Sequence, residues 1–101
     1  MRLEFAEAAR DEFVSSVDYY ETQQSGLGFI FAEQVNAAIE RILEFPAGWT
    51  PLDSTFHRCL VKQFPYALIY TVADQVVIVV AVMNLHRKPD YWRNRRGEPC
   101  E

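Results

Sequence analysis

The sequence predicts an α+β domain of two layers, an N-terminal strand and a helical hairpin packed on an antiparallel sheet in the order β-α-α-β-β-β. Three observations predict it. Apolar residues recur with helical period between residues 6 and 45, then with strand period between residues 57 and 86. Gly26, Pro46, Pro51 and Pro65 fall where one pattern gives way to the next. The chain has 101 residues, of which 50% are hydrophobic and 14% aromatic, enough to bury one core and too apolar for disorder.

The elements follow in order. Residues 1–5 set Leu3 and Phe5 against Arg2 and Glu4, the alternation of a short strand. From Ala6 the spacing turns helical, with Ala9, Phe13, Val17 and Tyr20 on one face and Glu7, Asp11 and Glu12 in the opening turns, where the helix dipole favours acids. Ser25 and Gly26 break the run, and Gly26 is expected as a helix C-cap. Leu27, Phe31, Val35, Ala38 and Ile42 then form a second apolar stripe, with Ala32, Ile39 and Phe45 beside it, ending at Pro46. So short a connection predicts an antiparallel pair. Residues 47–56 read as the one long loop. Residues 57–64 alternate, residues 67–72 are β-branched and aromatic, and residues 73–75 form a tight turn. Residues 76–86 are apolar on both faces as far as Asn84, which predicts an interior strand with its second face covered by something other than the hairpin. Residues 89–96 are expected as a short helix or a tail.

Composition narrows the function. The longest apolar run, residues 76–83, is far short of a membrane span, and residues 1–10 lack a signal-peptide pattern. Two cysteines, Cys59 and Cys100, point to a cytosolic protein with reduced thiols. The net charge of −4 is uneven: residues 1–56 hold ten acids against Arg2, Arg10 and Arg41, whereas residues 57–101 hold seven bases against four acids. A pI near 5.1 argues against a general nucleic-acid binder, so any phosphate contact is local. His57 and Cys59 share a strand face but are too few for zinc, and neither a metal nor a cofactor is expected. A phosphate-binding glycine loop and a nucleophile elbow are both lacking.

Four strings share one order and spacing with a known family. They are Tyr19-Tyr20-Glu21 followed by Gly26-Leu27-Gly28 and Phe31; Ile42-Leu43-Glu44-Phe45-Pro46; Arg58 on a strand leading to Phe64-Pro65-Tyr66 and Ile69-Tyr70; and the run from Ala81 through Asn84, Leu85, His86, Arg87, Lys88, Pro89 and Asp90 to Tyr91-Trp92. Together they resemble the RelE/ParE superfamily of toxins from type II toxin–antitoxin modules. The resemblance implies one toxin domain over residues 1–96 with a tail at 97–101. It also implies a cytoplasmic prokaryotic protein that arrests growth when free and is neutralised by a cognate antitoxin. ParE-like members inhibit DNA gyrase without cleaving anything, whereas RelE-like members cleave ribosome-bound mRNA. A degenerate member would bind only its antitoxin. Asn84 stands where members with the last motif often carry His, and the chain lacks the strong basicity of the nucleases. Both favour a binding toxin.

Were RNA cleaved, attack by a 2′-hydroxyl would need a base, an acid and cations to hold the phosphorane charge. The candidates are His86 as base or acid, Tyr91 as acid, and Arg58, Lys62 and Arg87 as charge stabilisers. Target binding without cleavage would fall to Arg87, Lys88, Trp92, Arg93, Arg95 and Arg96. An amphipathic antitoxin segment, folding as it binds, is expected across the apolar surface left by the central strand and the hairpin, with an acidic stretch against residues 87–96.

Overall fold

A computed structural model describes residues 1–95; the expectations for Arg96 and the 97–101 tail lie outside the described residues. The element order is β1 (Arg2–Phe5), α1 (Glu7–Gln23), α2 (Leu27–Glu44), β2 (Thr50–Pro51), β3 (His57–Val61), β4 (Tyr66–Ala73) and β5 (Val76–Asn84). They build one five-stranded sheet ordered β1-β5-β4-β3-β2. All neighbours are antiparallel except β1, which lies parallel to β5 with Arg2 opposite Val76 and Phe5 opposite Val79. The expected long loop thus contributes a two-residue strand, β2, whose Thr50 and Pro51 pair with Arg58 and His57.

The helical hairpin covers one face of the sheet. Phe31, Val35, Ala38 and Ile42 on α2 and Ala9 on α1 are buried against Cys59, Val61, Tyr66, Leu68, Tyr70, Val77, Val79 and Val82. Phe45, expected beside that stripe, is exposed, because α2 ends at Glu44. Gly26 does adopt a left-handed conformation (φ 89°), but as the N-cap of α2; α1 is capped by extended Gln24. The exchange is explained by Glu21, whose carboxylate accepts the N–H groups of Gly26 (3.0 Å) and Gly28 (3.1 Å) and so serves the unpaired donors of the second helix.

The second face is closed by the chain itself, which corrects the expectation that a partner lies across it. Trp92 and Phe56, with Leu52 and Tyr91 beside them, pack over Ala67, Ile69, Ile78, Val80, Ala81 and Met83. Residues 88–95 reach this position through successive three-residue turns (Arg93 N–H to Asp90 O, 3.1 Å; Arg95 N–H to Trp92 O, 2.9 Å), the tail form of the two expected. A β-bulge completes the fit. Ile69 pairs with Ala81 and Tyr70 with Val79, leaving Val80 as an extra residue, so that Val80 and Ala81 both face this second cluster while Val79 and Val82 face the helices.

Candidate functional site

The bulge and the shortness of β1 create one junction. β1 pairs with β5 only as far as Val79, so the edge of β5 beyond it needs other partners. Glu12 of α1 supplies one: its Oε1 accepts the Val82 N–H at 3.0 Å. Arg95 supplies another, with Nη1 donating to Val80 O at 2.9 Å and to Glu12 Oε1 at 2.8 Å. The Tyr91 hydroxyl donates to Glu12 Oε2 at 2.6 Å, and Arg87 Nη1 lies 3.5 Å from the same oxygen. The guanidinium carbons of Arg87 and Arg95 stand 3.9 and 5.0 Å from the Tyr91 ring centroid. Burial first, then the hydrogen bond to Glu12, push the Tyr91 phenol far above its ordinary value, so its proton is held rather than offered.

The predicted site residues therefore separate. Arg87 and Tyr91 meet at Glu12. His86 is exposed on the turn after β5, its own N–H held by Asn84 Oδ1 at 2.9 Å, so Asn84 shapes that turn. Arg58 and Lys62 line a groove of about 390 Å³ with Arg41, Trp49, Thr50 and Leu60, at the β3 edge of the sheet. Lys62 lies just past β3, in the turn to β4, rather than on the strand. The register sets Arg58 opposite Ile69, which is opposite Ala81, and Leu60 opposite Ala67, which is opposite Met83. Beside Arg58 that face of the sheet is aliphatic.

Of the expected target-binding set, Trp92 is 1% exposed and stacks edge-on against Phe56 (5.0 Å), so it belongs to the core and not to an exposed surface. Arg93 pairs with Asp53 and, at 2.9 Å, with Asp90. Arg95 is held by Glu12, and Lys88 is exposed. The acidic partner expected for this basic cluster is thus largely supplied from within. Sequence reasoning missed Glu12. It lies three residues after Ala9, at the border of the buried stripe, and an acid in that place was the available signal.

A second groove, of about 410 Å³, lies between the helices and β1, lined by Phe5, Arg10, Phe13, Ala32, Val35, Asn36 and Ile39. It opens beside β1, an edge strand of the sheet. Among the described residues no three His, Cys, Asp or Glu side chains are placed to hold a metal ion, and no helix is long and apolar enough to cross a membrane.

The fold is shared with a chain from the chromosomal ParDE toxin–antitoxin system of P. aeruginosa, at a TM-score of 0.74, with 10% sequence identity, covering 85% of this chain and 97% of the other. At that identity the likeness is one of architecture alone, a helical hairpin packed on a sheet. The family model for the ParE toxin of the parDE type II toxin–antitoxin system matches residues 3–91, and the chain belongs to that family. No curated protein matches the sequence.

Proposed function

We propose that this ParE-family chain arrests growth by binding a cellular target in the cytoplasm, DNA gyrase being the target class, and that a ParD-type antitoxin neutralises it. Residues 1–96 would act as one domain. The observation that carries the reading is the state of Tyr91. The only phenol among the cleavage candidates gives its hydrogen to Glu12, and Arg87 faces the same carboxylate. General-acid catalysis wants a donor whose proton leaves near neutral pH, and cations free to meet developing negative charge.

With the second face of the sheet closed, the groove between α1, α2 and β1 is the seat for the antitoxin. Its apolar floor suits one face of an amphipathic segment, and Arg10 at its side suits an acid on that segment. The test is expression of the chain alone, with mRNA ends mapped during arrest and gyrase supercoiling assayed with purified protein. Growth arrest with inhibited supercoiling and no new mRNA ends is expected. New ends within translated codons, abolished by His86→Ala or Arg58→Ala, would establish cleavage instead. Unaffected growth with the protein present would leave a chain that only binds its antitoxin.

A further inference from the structure

The groove at the β3 edge gathers charges that the reading proposed above leaves unused. In a chain of net charge −4, Arg41, Arg58 and Lys62 converge on it, and none of the three has a carboxylate within ion-pair distance among the described residues. Arg87, Arg93 and Arg95, by contrast, are each paired. Three cations around one groove repel one another, and an anion placed there relieves that repulsion.

The walls are also preset. Arg41 donates Nη2 to Leu60 O at 2.8 Å, and Trp49 donates Nε1 to the main-chain Arg41 O at 3.0 Å, so the guanidinium is fixed to β3 and the indole to the backbone of α2. The Arg58 Nε is enclosed without a hydrogen-bond partner. Leu60 leaves 51% of its surface exposed, which with Trp49 makes an apolar wall beside the charges. β2 reaches only His57 and Arg58, so beyond them no strand pairs with the outer side of β3, where Arg41 takes the Leu60 carbonyl.

We propose that this groove binds an acidic, partly apolar peptide segment of a protein partner, with carboxylates against Arg58 and Lys62 and an apolar side chain on Trp49 and Leu60. A peptide fits better than a nucleic acid. Nucleic-acid affinity grows with the number of phosphates neutralised; three cations neutralise few, and an acidic chain repels so dense a polyanion. The proposal stands independently of the target and of the antitoxin seat described above.

The test uses the whole chain and its tryptophan fluorescence, since Trp92 is buried and Trp49 reports on the groove. The probe is the blocked peptide acetyl-Glu-Leu-Glu-Glu-Leu-Glu-amide, with the same peptide carrying Gln for Glu and a single-stranded deoxythymidine oligonucleotide as comparisons. Expected is saturable binding of the Glu peptide, weakened at least tenfold by the Gln exchange, by 0.5 M salt, or by Arg58→Gln with Lys62→Gln. Should the double variant lose its native circular dichroism, Lys62→Glu alone, at an exposed position, must weaken binding as strongly. Equal binding of the Gln peptide, no saturable binding, or binding unchanged in a folded variant would overturn the proposal. Tighter binding of the oligonucleotide, lost in the same variants, would overturn it in favour of a nucleic-acid site.

Discussion

Glu12 joins a helix, a strand edge and the C-terminal segment through one carboxylate, with its side chain only 15% exposed. Glu12→Gln keeps the shape but removes the charge that Arg87 and Arg95 face. The expected loss is about 2–3 kcal/mol, the scale of hydrogen bonds to charged groups, read from the urea midpoint. Asp53 is a second junction: its Oδ1 accepts the N–H groups of Phe56 and Thr55, each at 2.8 Å, and its Oδ2 meets Arg93. Those two backbone hydrogen bonds, then Arg93, hold its carboxyl below the ordinary 3.8. The stability this gives is complete above the unfolded value of about 3.9 and is lost as pH falls through the lower folded value. Asp53→Asn should therefore flatten the dependence of stability on pH below about pH 4, as thermal melts across that range would show. Both acids were visible as residues in the sequence; what they meet lies up to 83 positions away, beyond the reach of any local pattern.

Among the elements, the helical hairpin was the most legible, because a buried stripe at period 3.6 declares itself in one stretch of chain. The junction between the helices was less so. Gly26 and Gly28 look alike in sequence and do different work. At Gly28 a Cβ would lie 2.6 Å from the Val17 carbonyl oxygen, so α1 and α2 approach closely only because that position has no side chain. At Gly26 nothing lies within 4 Å, and the requirement is its φ of 89° alone. Gly28→Ala is therefore expected to cost about 1–3 kcal/mol by forcing the helices apart, and Gly26→Ala about 1 kcal/mol through backbone strain. Denaturant unfolding of the two variants should rank them in that order. The bulge at Val80 had no sequence signal, since a run of Val and Ala reads the same with or without an extra residue.

At the level of the whole molecule, the decisive event is the return of residues 88–95 across the second face of the sheet. Trp92→Ala would leave a large void over Ile69, Val80 and Met83 and should destabilise by about 3–5 kcal/mol, with the exposed face binding a hydrophobic dye. The apolar strand β5 told in advance that its second side needed a cover, and the periodicities told the layers and their order, because burial is written into local spacing. What covers that side, which cations are already paired, and which are left around Trp49 were decided only by the tertiary structure. Charge pairing depends on distance in space, and the chain brings Glu12 to Arg95 and Asp53 to Arg93 without leaving a mark of it in the order of residues.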